Sequence, residues 1–158
     1  MLLGKKRKIG RLIDEIRPGE KLEFSEKIED KDLLLYLGLS DDNNPLFIQH
    51  DYASLTPYEK PIVPQVMLTG MVTGAVSKIL PGPGSSVLSQ SLQFPNPVYH
   101  YEEIHILLAV EATDQGKNQI IMSVDAKNDS GDPVIVGELI VSPPYPLKSI
   151  TSSTLENF

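Results

Sequence analysis

One short stretch concentrates the residues able to do chemistry: Ser40, Asp41-Asp42-Asn43-Asn44-Pro45, then Phe47 and His50. Asp42, a carboxylate beside the amide side chains of Asn43 and Asn44, is a group able to exchange a proton or hold a polar ligand. The same residues also make a good helix stop and turn, since Asp and Asn side chains bond readily to their own backbone. Both readings stand at this level. The three histidines of the chain are His50, His100 and His105. His50 lies closest to the acidic stretch and is the possible substitute proton carrier; His100 and His105 fall on or near later strands, where surface or core roles are expected.

These residues need elements to position them. Leu22, Phe24 and Ser25 after the Pro18-Gly19 turn suggest an opening strand, and Glu29 or Asp30 can cap a short helix running through Leu39. Residues 66–80, VMLTGMVTGAVSKIL, carry no charge before Lys78. Their apolar character runs around the whole helix, which predicts burial on all sides. The stretch is short against the ~20 residues of a membrane span and follows Pro61 and Pro64, so a buried helix is the better reading. Gly70 and Gly74 share a face and would let another backbone approach closely. Met67 and Met71, one turn apart, read as core filler, and Tyr52 and Tyr58 as packing or as the lining of a ligand pocket.

Four strands are expected after the Pro81-Gly82-Pro83-Gly84 stop. They lie near residues 87–94, 104–113, 120–126 and 134–141. In the second, Ile104, Ile106, Leu108, Val110 and Ala112 alternate with the other face, and in the third Ile120, Met122, Val124 and Ala126 do the same. Turn residues at 114–118 and 128–132 predict an antiparallel meander. One apolar helix and a long antiparallel sheet are best satisfied if the sheet curls around the helix: an α+β hot-dog arrangement in one domain over 1–158, with 1–8 and 144–158 flexible. Such a sheet keeps open edges, and pairing two subunits hides them, so a homodimer or higher oligomer is expected.

Composition limits the function classes. The 158 residues include no cysteine, which removes disulfides and thiolate metal sites and fits a reducing cytoplasm. A net charge of -7 disfavours general nucleic-acid binding. Lys5, Lys6, Arg7 and Lys8 read as a solvated terminus, or as a contact for an anionic phosphate of a cofactor or carrier protein. No apolar stretch suits a secretory signal or membrane anchor. No metal or cofactor is expected.

Three blocks, YLGLSDDNNPLFIQHDYA at 36–53, KPIVPQVMLTGMV from 60 and LPGPGSSVLSQSLQFPNPV at 80–98, together resemble the MaoC-like dehydratases and (R)-specific enoyl-CoA hydratases. That family's signature runs approximately aromatic, apolar, Ser, Gly, Asp, any, Asn, Pro, Leu, His, any, Asp. Ser40, Asp42, Asn44, Pro45 and Leu46 match it. Asp41 stands for the Gly, Phe47 for the His and Gln49 for the second acid, and the His-Gly pair before the central helix reads Pro64-Gln65-Val66. The resemblance implies a hot-dog fold and an acyl thioester, on CoA or acyl-carrier protein, as the ligand. It implies Asp42 and Asn44 as catalytic residues, and backbone amides at Gln65 and Val66 as donors to the enolate-like oxygen. Phe47 cannot exchange a proton, and losing such a partner typically costs on the order of 10²- to 10⁴-fold in rate. The readings are therefore a hydratase or dehydratase using Asp42, a non-catalytic acyl-thioester-binding protein or inactive partner subunit, and an acyl-CoA thioesterase.

Overall fold

The computed structural model describes residues 8–147. Most of the basic run, Lys5 to Arg7, and the tail from 148 onward fall outside the described residues, and with them most of the expectation of flexible ends. Within the described part, Pro143 and Pro144 are buried, so the ordered chain reaches past residue 144.

After a 3-10 turn at Ile13–Glu15, strand β1 (Lys21–Lys27) leads into helix α1 (Asp30–Ser40). Glu29 is the N-cap of α1, and its N–H donates to Asp32 Oδ2 at 2.9 Å. Two single-turn helices follow, α2 (Pro45–Ile48) and α3 (His50–Ala53), then α4 (Gln65–Lys78) and strands β2 (Ser86–Gln93), β3 (Glu103–Asp114), β4 (Gln119–Asn128) and β5 (Pro133–Ser142). The five strands form one antiparallel sheet in the order β1-β3-β4-β5-β2. With α4 against its inner face, this is the hot-dog fold.

The alternating apolar positions do what their period requires. Ile104, Ile106, Leu108 and Val110 of β3, with Ile120, Met122, Val124 and Ala126 of β4, are all buried in one core. Burying a side chain of this size contributes about 1.5–3 kcal/mol. The alternation in β3 stops at a bulge between Val110 and Ala112, which leaves Ala112 only half-buried.

Two expectations need correction. The meander holds for β3, β4 and β5 only; β2 pairs with β5 on the far side, with Val87 opposite Val141 and Leu92 opposite Gly137. Residues 94–102, which carry Pro95 and Pro97, form a long connection that turns only at its end, where the Glu102 N–H donates to Tyr99 O at 3.2 Å, so no short hairpin joins β2 to β3. The second correction concerns α4. Leu68, Val72, Ala75 and Val76 face the sheet and are buried, a spacing of one helical face. The opposite face is open: Val66 is 63% exposed, and a side chain added at Gly70 or Gly74 would meet nothing within 4 Å. A helix apolar all round is here buried by its own chain on one side only. Met67 and Met71 do pack against the core as expected. No helix among the described residues is long and apolar enough to cross a membrane.

Candidate active site

The end of α1 builds the acidic stretch. Asp41 closes the helix in the left-handed region, at φ 54, and its N–H donates to Leu37 O at 2.9 Å. Glycine favours that conformation and Asp tolerates it, which accounts for Asp41 at the glycine position of the family signature. The chain then turns, and Asp42 becomes the hub. Its Oδ1 accepts from the Asn44 N–H at 3.1 Å and its Oδ2 accepts from the Tyr36 hydroxyl at 2.9 Å. The Asn44 side chain in turn accepts from the Leu46 N–H at 3.0 Å and caps α2, with Pro45 at the first helical position.

Turn chemistry and a held carboxylate are thus the same set of bonds. An ionised carboxylate has about four acceptor positions; two are filled here, and Asp42 is half-exposed. Burial, then the hydrogen bond to Asp42, raises the Tyr36 pKa and keeps the phenol a donor. Nothing in the spacing of Tyr36 within an apolar helix marks it as this partner.

Phe47 projects from α2 and is 8% exposed. It lines a cavity of about 730 Å³ between α1, α2 and residues 99–101, together with His50, Lys60 and His100. The apolar wall comes from Leu33, Leu37 and Ile48. Asp42 lies outside this lining, so the structure joins Asp42 to Asn44, and Phe47 to His50, as two adjoining groups. At the start of α4, Pro64 is the N-cap and offers no side-chain bond to the first amides. Gln65 lines a separate pocket of about 100 Å³ with Phe94 and Asn96, while Val66 faces outward.

The remaining imidazoles divide sharply. His105 bonds Ser25 through Nδ1 and Asp129 through Nε2, both at 2.8 Å, and is an occupied surface residue as expected. His100 is the one of the two that takes a core position, with a side chain 16% exposed. Its Nδ1 is buried without a hydrogen-bond partner, and Asp30 Oδ1 stands 3.8 Å away, beyond bonding distance. Burial lowers its pKa, against the opposing pull of Asp30, and the nearby His50 adds to the lowering. Among the described residues, no group of three His, Asp or Glu side chains could hold a metal ion.

The chain matches the family model described as MaoC like domain over residues 15–131. It belongs to the MaoC-like family. An (R)-specific enoyl-CoA hydratase of Aeromonas caviae is 30% identical over 126 residues, covering 80% of this chain and 94% of the relative. A mitochondrial 3-hydroxyacyl-(acyl-carrier-protein) dehydratase of Solanum lycopersicum is 29% identical, covering 87% of each chain. Among solved structures, an unliganded R-hydratase of Pseudomonas aeruginosa superposes with a TM-score of 0.78 at 27% identity, covering 90% of this chain and 94% of the other. The MaoC-like relatives named here are lyases, and the hot-dog sheet with its helix is common to this chain and the Pseudomonas R-hydratase structure.

Proposed function

We propose that this MaoC-like protein is an acyl-thioester hydratase or dehydratase in which Asp42 is the acid/base residue. The observation that carries the reading is the double anchoring of Asp42 by Tyr36 and Asn44, which fixes the carboxylate while leaving acceptor positions for a water. In the hydration direction, Asp42 takes a proton from that water as the oxygen adds at carbon 3, and the protonated Asp42 then gives that proton to carbon 2, so one water is added across the double bond and the carboxylate is regenerated. The first amides of α4, at Gln65 and Val66, have no side-chain cap and are the donors assigned to the enolate-like thioester oxygen. The thioester, on CoA or acyl-carrier protein, is substrate, and no cofactor enters the chemistry. The cytoplasm is the compartment assigned, because a chain without cysteine gains nothing from an oxidising one.

The assembly proposed is a homodimer or higher oligomer. Its support is the apolar surface left open in the single chain: Val66 and the glycine face of α4, and Leu34, Leu35 and Leu39 of α1, which are 67%, 74% and 89% exposed. Exposed apolar area of this kind marks interaction surfaces.

One observation favours a second reading. Phe47 is buried in the cavity wall, and if it stands at the imidazole position of the family signature, as the resemblance implies, this suits a non-catalytic acyl-thioester-binding protein or inactive partner subunit. Incubation with crotonyl-CoA separates the two. Loss of the enoyl absorbance without release of free thiol is the expected result; tight calorimetric binding with unchanged absorbance supports the binding protein, and thiol release would identify a thioesterase. No binding to any acyl thioester contradicts all three.

A further inference from the structure

The outer face of the sheet carries a hydrogen-bonded line of three side chains that hydration does not use. Ile104 and Ile106 point into the core, so His105 between them points out, and Ser25 stands opposite it across β1 and β3. At the end of β4, Asn128 Oδ1 accepts from the Ser130 and Asp132 N–H groups at 3.0 and 2.9 Å. That fixes the turn from which Asp129 reaches the imidazole. His105 Nδ1 is 2.8 Å from the Ser25 hydroxyl, and Nε2 is 2.8 Å from Asp129 Oδ1.

An ionised carboxylate only accepts, so the Nε2 beside Asp129 carries the proton. A neutral imidazole then has its lone pair on Nδ1, and the Ser25 hydroxyl donates to it. Nucleophile, base and a group that orients the base thus stand in line. Ser25 and His105 line a depression of about 370 Å³ with Leu107, Lys127, Glu23 and Asp125, while Asp129 stays outside it. Two carboxylates against one ammonium disfavour an anionic substrate there. Two donors can serve an oxyanion formed at Ser25. One is Lys127, for which no ion pair is found among the described residues. The other is the Ser25 N–H. Val110 N–H donates to Glu20 O, which marks Glu20 and every second residue after it as bonded to β3. Ser25 falls in the alternate set, and its N–H points to the open edge that β1 forms.

We propose that Ser25, His105 and Asp129 form a second active site, an esterase for small uncharged acyl esters. Ser25 Oγ bonds to the carbonyl carbon while its proton passes to His105 Nδ1; the ester C–O bond then breaks, and that proton leaves with the alcohol. A water adds to the acyl carbon and gives a proton to Nδ1, which returns it to Oγ as the acyl–serine bond breaks and the carboxylic acid departs. Ester and water become acid and alcohol. Asp129 stabilises the imidazolium and takes no proton. Neither Asp42 nor the cavity at Phe47 takes part, so the site stands whether or not crotonyl-CoA is hydrated.

Hydrolysis of p-nitrophenyl acetate, read as released nitrophenolate, tests the site. In variants whose melting temperature is unchanged, Ser25→Ala is expected to lower the rate roughly tenfold or more, and Asp129→Asn roughly threefold or more. No hydrolysis by the unsubstituted protein overturns the proposal, and so does a rate that Ser25→Ala leaves as it was, which is the behaviour of scattered surface imidazoles and amines. Covalent labelling of the unsubstituted protein does not depend on any variant folding. Diisopropyl fluorophosphate is expected to phosphorylate the Ser25 hydroxyl, located by peptide mass spectrometry; no label, or label only at other residues, contradicts the assignment.

Discussion

At the residue scale, the active-site stretch differs from the family signature in ways that have separate physical meanings. Asp41 for Gly changes little, because the left-handed backbone at φ 54 is one that Asp adopts. Phe47, which the resemblance sets at the His of the signature, cannot exchange a proton and seals the cavity wall with apolar surface. Phe47→His is accordingly expected to raise crotonyl-CoA hydration by about 10²-fold or more, as restored acid/base partners do. The same change should lower stability by roughly 1–3 kcal/mol, since an imidazole is left buried in an apolar wall. Enoyl absorbance and a urea melt measure both sides. His100 gives stability a pH dependence of definite sign. Its folded pKa lies below the ordinary imidazole value near 6.5, so the unfolded chain takes up the proton first as pH falls. This part of the stability is complete above about pH 6.5 and is lost as pH drops through that value toward the folded one. Asp30, His50 and Lys60 face the same cavity, and the pull of Asp30 reduces the shift without reversing it. Urea melts between pH 7.5 and 5 should show a shallower loss for His100→Leu than for the unsubstituted protein.

At the element scale, local patterns were legible and partners across space were not. The alternation of Ile104 to Val110 and Ile120 to Ala126, with turn residues at 114–118, contained β3, β4 and their pairing. Asp30 to Leu39 read as a helix because its caps lie within a few residues. The partner of β2 was hidden, since nothing near Ser86–Gln93 encodes β5, more than forty residues on in the chain. Gly137 records that contact: a side chain there would come within 2.0 Å of Ser91 O and 2.9 Å of Leu92 Cα. Gly137→Ala is therefore expected to force β2 and β5 apart and cost about 1–3 kcal/mol, as overpacking does. Thermal unfolding checks this, and an unchanged melting temperature contradicts the pairing. The neighbour of His100 was hidden for the same reason as that of β2: its place beside Asp30 is set by the long 94–102 connection. Asp42 and Asn44 could be found because their bonds are local.

At the scale of the whole molecule, the uniform apolar run of α4 foretold burial but could not say by what. The sheet covers Leu68, Val72, Ala75 and Val76, and the face with Val66, Gly70 and Gly74 stays open in the single chain, where the proposed assembly would cover it. Sedimentation equilibrium is expected to give at least a dimer, and Val66→Glu combined with Gly70→Glu to shift it toward monomer; a monomeric unsubstituted protein contradicts the assembly. The catalytic account itself comes down to one carboxylate. Its most direct test is the rate of crotonyl-CoA hydration by Asp42→Asn, a change that keeps the side chain's shape while removing its basicity, in protein whose melting temperature matches the unsubstituted chain. A fall on the order of 10²- to 10⁴-fold is predicted; a rate equal to that of the unsubstituted protein would contradict the role given to Asp42.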